Sequence, residues 1–174
     1  MASDTRQRIL DAAERRVRRS GYNGFSFRDI AADVGVKSAS VHHHFPTKEA
    51  LTAVLASRYA ARFEERLRRE AALLGPLPAL RQLFRASIEE DGQMCLCGML
   101  AAESAALPES VKLETRRFFE RIVAFLTDVE CGPAMGRGGA LEVVALLEGA
   151  LLVGRASDDI AVFDAATERL THWA

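Results

Sequence analysis

The sequence is short of most features that commit a chain to one chemistry. No apolar run approaches the roughly 18 residues of a membrane helix. Met1-Ala2-Ser3-Asp4-Thr5-Arg6 holds no apolar segment of the secretory kind, so a cytoplasmic protein is expected. The cysteines number 3, an odd count, and are expected as thiols rather than disulfides. Apolar and polar residues nowhere alternate for more than a few positions, and there is no repeat or low-complexity tract, which excludes a β-architecture. No nucleophile–base set, metal-ligand spacing or glycine-rich phosphate loop is present, which argues against an enzyme and against a cofactor. Net charge is nearly absent, at −1.

That near-neutrality hides an asymmetry. Residues 1–70 hold 14 Lys and Arg against 9 Asp and Glu, whereas residues 71–174 hold 9 against 15. A basic N-terminal part on an acidic body points to a polyanionic partner at one end. What fills the 174 residues is helical periodicity, and the chain is long enough for one domain or two subdomains with a shared core.

Ser26 to Leu51 organises the rest. Ile30, Ala31 and Val34 form one short apolar run, and Val41 and Phe45 a second, with Gly35 between them. A glycine in the left-handed conformation ends one helix and turns the chain steeply into the next. Two helices joined by a turn of about three or four residues containing glycine form a helix-turn-helix. Ser26 with Asp29 reads as a capping box that starts the second helix near Phe27, Lys37-Ser38 opens the third, Pro46 closes it, and Thr47 caps the fourth.

Around this stretch nine helices are expected, an all-α fold. The first carries Ile9, Leu10, Ala13 and Val17, with Arg6, Arg8, Arg15, Arg16, Arg18 and Arg19 on its other face. The fourth runs through Leu51, Leu55, Tyr59, Phe63 and Leu67 until Gly75-Pro76-Leu77-Pro78 breaks the pattern. The fifth holds Leu80 to Ile88, the sixth Met94 to Leu107, and the seventh Glu109 to about Glu130. The eighth, Leu141 to Ala156, is apolar nearly all round and is expected to be buried on all sides; the ninth runs from Ile160 to Trp173. Two such apolar helices need a cover, either the subunit's own core or a second copy through a four-helix bundle, and a homodimer through helices eight and nine is expected.

Gly21-Tyr22-Asn23-Gly24-Phe25-Ser26-Phe27-Arg28-Asp29-Ile30-Ala31, then Val34-Gly35-Val36 and His44-Phe45-Pro46-Thr47-Lys48-Glu49-Ala50-Leu51, resembles the N-terminal domain of the tetracycline-repressor (TetR) family of transcription regulators. The likeness covers about residues 5–55, and the helical pattern beyond them resembles the family's second domain. The resemblance implies a DNA-binding domain over 1–47 and a ligand-binding and dimerisation domain over 48–174. It also implies a homodimeric repressor on a near-palindromic operator, with the third helix in the major groove and a small-molecule effector that releases the DNA.

On the third helix Val41 and Phe45 point to the core, leaving Lys37, Ser38, Ala39, Ser40, His42 and His43 outward. Serines bond base edges or phosphates, and an alanine methyl suits a thymine methyl. The family usually has tyrosine at the position of His42 and an aromatic at 43. His44 matches the family and is expected at a phosphate or between helices. Imidazoles gain charge on acidification, so operator affinity is expected to rise as pH falls. Consecutive helical positions point about 100° apart, so the three imidazoles do not converge on one metal ion. Family counterparts of Phe27 and Arg28 lie along the phosphate backbone, and Lys48 at a helix start also suits a phosphate. The alternatives are an ion pair of Arg28 with Asp29 or Asp33, and a solvated Lys48.

For the effector, helices five to eight offer Phe84, Ser87, Met99, Glu103, Phe118, Ile122, Leu147 and Glu148, though apolar walls with few polar groups also build cores. Glu148, in an otherwise apolar run, is expected to meet Arg117, Arg121 or Arg155, to face a ligand, or to lie at the dimer seam. Cys95 and Cys97 point nearly opposite ways on a helix and read either as core fillers or as a thiol sensor. The competing functions are a regulator governed by a protein partner without a small ligand, and a helical-bundle enzyme.

Overall fold

The computed structural model describes residues 2–91, 93–128 and 135–171, and for residues 2, 3, 90 and 91 only the backbone. Among them are nine α-helices and no strand: α1 (Ala2–Ser20), α2 (Phe27–Val34), α3 (Ser38–His44), α4 (Lys48–Leu74), α5 (Pro76–Asp91), α6 (Leu96–Ala102), α7 (Glu109–Thr127), α8 (Arg137–Ser157) and α9 (Ile160–Thr167). Short 3-10 turns follow at Ser104–Ala106 and Glu168–Thr171. Trp173 and Glu130, expected at helix ends, lie outside the described residues.

The chain packs as two compact units, Met1–Tyr59 with Leu96–Arg116, and Ala60–Cys95 with Arg117–Ala174. The packing boundary therefore runs through α4 and α7, whereas the functional boundary expected from the sequence lies at 47/48.

In the first unit, Ile9, Leu10, Ala13 and Val17 of α1 are buried with Ile30, Ala31 and Val34 of α2, Val41 of α3, and Leu51 and Leu55 of α4. Leu96, Cys97, Leu100, Leu107 and Val111 are buried in this unit as well. Arg16, Arg8 and Arg6 of the first helix do structural work here. Arg16 Nε and Nη2 donate to the two Asp33 oxygens at 2.5 and 2.8 Å, and the Arg8 guanidinium caps the C-terminus of α2 at the Val34 carbonyl. Arg6 lies over the Phe45 ring, 5.0 Å from its centroid. Arg58 of α4 pairs with Asp11.

The second unit packs α5 against α8 and α9. Phe84, Leu147, Leu151 and Phe163 are fully buried there. Asp164 accepts from Arg81 Nη2 at 2.5 Å and from Arg85 Nε and Nη2 at 2.8 and 3.0 Å. The Arg85 hydrogen bonds hold its carboxyl below the usual range, helped by the charges of both arginines.

Several helix expectations need correction; the ninth helix, expected to run on from Ile160, ends at Thr167, where the chain tightens into the Glu168–Thr171 3-10 turn. The fifth helix starts at Pro76, not past Pro78: Gly75 ends α4 with φ 84°, and both prolines fall in the first turn of α5, where missing N–H groups cost no intrahelical bond. The sixth helix is shorter than Met94–Leu107, because the chain changes at Glu103 into a 3-10 turn. And α8 is not buried on all sides. Val143, Val144, Leu147, Ala150 and Leu151 face the core, but Leu141 is 47%, Leu152 61% and Val153 53% exposed.

Candidate nucleic-acid interface

The local sequence builds the α2–α3 corner in four steps. Ser26 caps α2: its Oγ accepts from the Asp29 N–H at 3.3 Å, and Asp29 Oδ2 accepts from the Ser26 N–H at 2.8 Å. Those bonds hold the Asp29 carboxyl below its ordinary range. Gly35, at φ 72°, stops the helix, with the Gly35 N–H on Ala32 O at 3.2 Å and the Val36 N–H on Ala31 O at 3.0 Å. A side chain there would strain the backbone rather than clash, since nothing lies within 4 Å of its Cβ position. The chain then turns into α3 at Lys37, and Phe45, whose N–H bonds Val41 O at 2.9 Å, closes it before Pro46. Thr47 Oγ1 caps α4 by accepting from the Ala50 N–H at 3.0 Å.

The result is a seven-residue helix with one buried position, Val41. Lys37, Ser38, Ala39, His42 and His43 are exposed, Ser40 and His44 half-buried. The surface is small at 38–40 and aromatic at 42–44. His42 meets the Phe27 ring edge-on at 4.7 Å, and His43 meets His44 at 5.4 Å. No group of His, Cys, Asp and Glu among the described residues has the arrangement of a metal site. Arg28 is exposed on α2. The carboxylates that it was weighed against are taken: Asp33 by Arg16 and Asp29 by the Ser26 cap.

Two expected contact residues sit behind this surface. Phe27 is buried and supports His42. The Lys48 ammonium turns inward, donating to the Phe25 carbonyl at 2.6 Å, 4.4 Å from the Phe25 ring centroid and 4.6 Å from that of Tyr22. Desolvation pushes its pKa down, against the opposing pull of the Glu103 and Asp29 charges. The sequence signalled the lysine but not its aromatic seat, because Tyr22 and Phe25 are brought to it only by the turn after α1.

The arrangement is a short helix, small-sided at 38–40, with Lys37 and Arg28 exposed beside it on a capped support. Comparison with known proteins gives the family. The sequence model described as "Bacterial regulatory proteins, tetR family" matches residues 9–55. A solved transcriptional regulator of the TetR family from Agrobacterium tumefaciens is 34% identical, with 98% of this chain and 97% of that one covered and a TM-score of 0.90. This chain belongs to the TetR family. A TetR regulator from Legionella pneumophila is 30% identical over 94% of this chain and 93% of its own, with a TM-score of 0.83. The reduced form of Escherichia coli NemR shares the fold, at 22% identity, coverage of 96% of this chain and 95% of that one, and a TM-score of 0.79. A search of curated proteins finds no match. As a TetR-family protein, the chain is a DNA-binding transcription regulator and not an enzyme. No described helix is long and apolar enough to cross a membrane.

The effector residues expected from the sequence are divided between the two compact units. Met99 and Glu103 belong to the first compact unit, and Phe84, Ser87, Phe118, Ile122, Leu147 and Glu148 to the second. Phe118 and Ile122 line a narrow crevice with Phe63, Leu67 and Phe125, whose free volume of about 10 Å³ has room for about one water, and Arg121 lies 3.5 Å from Glu64 in its wall. Phe84 meets the Phe63 ring at 5.8 Å, and Ser87 Oγ bonds back to Leu83 O at 3.4 Å. Glu148 takes none of the expected arginines. Its hydrogen-bond partner is the Cys95 thiol, and its Oε1 is buried with no partner. Burial pushes its pKa up to about 7, with the Cys95 bond acting the other way. Cys95 and Cys97 are both buried, neither in a disulfide, and they fall in different units.

Proposed function

We propose that the protein is a homodimeric repressor of a near-palindromic operator, with residues 1–47 reading DNA and residues 48–174 serving effector binding and dimerisation. The outward face of α3 carries this reading: small side chains and imidazoles with Val41 and Phe45 anchored behind them. Lys37, Ser38, Ala39, Ser40, His42 and His43 meet base edges and phosphates in the major groove, and Arg28 takes a backbone phosphate. Phe27, His44 and Lys48 act from behind, by holding that face. Binding of the upstream region, followed by fluorescence anisotropy across a salt series, tests this. Arg28→Ala and Lys37→Ala each reduce the salt slope by about 1 if each contacts a phosphate. Unchanged affinity and slope in both would contradict it.

The dimer reading rests on α8. Leu141, Ala145, Gly149, Leu152 and Ala156 are all exposed at helical spacing, an apolar stripe with small residues that let a second helix approach closely. With α9, such a stripe builds a symmetric four-helix interface.

The effector reading rests on the apolar lining of the Phe63–Phe118–Phe125 crevice, which has room for about one water and must open to admit an apolar compound. A thiol-reactive inducer acting at Cys95 or Cys97 is the second reading; both thiols are buried and Cys95 lies against the Glu148 carboxyl, so it requires a local opening that exposes them. Operator release by electrophiles that survives in the Cys95→Ser, Cys97→Ser double variant would remove it. A regulator answering to a protein partner remains when neither small molecules nor electrophiles shift the thermal midpoint.

A further inference from the structure

Glu103 is 80 residues from the turn that it touches. Its Oε2 accepts from both the backbone N–H of Asn23, at 3.2 Å, and the Asn23 side-chain amide, at 2.7 Å. Its Oε1 occupies the space over Gly21: a Cβ built there would lie 1.5 Å from that oxygen. Gly21 is thus bare for two reasons, its φ of 73° and the carboxylate packed on it. The charge of Glu103 also acts on the Lys48 ammonium, which itself donates to Phe25 O. Residues 21–26 are therefore held at two points, by Glu103 at Asn23 and by Lys48 at Phe25. This turn leads directly into Ser26, the cap of α2, and two residues later into Arg28. A second polar bond follows the same line, from Ser110 Oγ of α7 to Glu49 Oε1 of α4 at 2.6 Å.

We propose that Glu103 is a positioning residue for DNA binding: its carboxylate clasps the α1–α2 turn and so sets where the start of α2, and Arg28 on it, meets the operator phosphate. The proposal rests on the reading of α2 and α3 as the DNA-contacting surface. The chemistry suits the role. A carboxylate accepting two N–H bonds on one oxygen makes charge-assisted bonds, stronger than neutral ones, on an exposed turn. The residue lies outside the helix-turn-helix, so its part in DNA binding is invisible to a motif.

The test is a double-mutant cycle between Glu103 and Arg28 on the full-length protein, read as operator affinity and salt slope, with melting followed by circular dichroism. Glu103→Ala weakens operator binding by roughly tenfold, the loss of about one charge-assisted bond, and lowers the salt slope as Arg28→Ala does. The pair together costs no more than Arg28→Ala alone, because a misplaced arginine has little left to lose. Glu103→Gln, which keeps a carbonyl acceptor for Asn23, recovers most of the affinity. Asn23→Ala, a milder change, reproduces a smaller loss should Glu103→Ala melt too low to assay. Additive losses, or wild-type affinity in both Glu103→Ala and Asn23→Ala, overturn the proposal, since a merely stabilising contact would lower the melting point without coupling to Arg28. Hydrogen exchange of the Asn23 amide reads the clasp without DNA: Glu103→Ala accelerates it, and an unchanged rate overturns the clasp. If Arg28→Ala and Lys37→Ala both leave operator binding untouched, the reading of the surface fails, and that result is distinct from an unchanged Asn23 exchange rate.

Discussion

Glu148 is the residue whose environment departs furthest from what its neighbours in the sequence suggest. An acidic side chain among leucines and valines demands a partner, and three arginines stood at plausible distances along the chain. Packing put Cys95 there instead, a contact between positions 53 residues apart that no helical spacing encodes. The carboxyl, pushed up to about 7, keeps its proton in the folded protein between its unfolded value near 4.5 and pH 7. The folded state binds the extra proton over that window, so this contribution to stability is present below about pH 4.5 and is lost as pH rises to 7. The loss is on the order of 3 kcal/mol. Glu148→Gln should therefore melt close to wild type at pH 5 and several degrees above it at pH 8. A difference that does not change with pH would contradict this account of the site.

At the scale of elements, the stretch from α2 to the start of α4 was the most legible part. The capping box at Ser26, the left-handed Gly35, the Pro46 stop and the Thr47 cap each have a local chemistry that fixes a boundary within a residue, and α2, α3 and the start of α4 fall where that chemistry puts them. Ile30 is fully buried, and Ile30→Ala should cost about 2–5 kcal/mol, measurable by urea unfolding. Periodicity misled at α8, where a run of Leu, Val, Ala and Gly looks apolar all round. The pattern does not record which apolar face meets its own subunit. The structure separates them: Val143, Leu147 and Leu151 inward, Leu141, Ala145, Gly149 and Leu152 outward. If that outward stripe is the dimer seam, Leu152→Glu buries charge at its centre and yields a monomer by light scattering, with operator affinity reduced. A Leu152→Glu protein that stays dimeric would place the seam elsewhere. The effector side was legible only as aromatic content. Phe63, Phe118 and Phe125 come together through α4 and α7, and helical spacing alone does not separate such a crevice from a core.

For the whole molecule, the basic N-terminal excess and the helix-turn-helix pointed to DNA, and membership in the TetR family bears that out. The functional division expected at 47/48 does not coincide with the division by packing, since residues 96–116 pack with residues 1–59. That is why Glu103, far from the motif in sequence, ends beside Asn23. The central claim is that two copies of this helix-turn-helix read two half-sites through α3. Hydroxyl-radical footprinting of the protein's own upstream region tests it most directly. The account predicts two protected patches related by two-fold symmetry, with centres spaced by whole helical turns of about 34–36 Å. It predicts that both patches fade together in Lys37→Ala and Arg28→Ala. A single unsymmetric patch, or protection that ignores sequence and survives both substitutions, would contradict it.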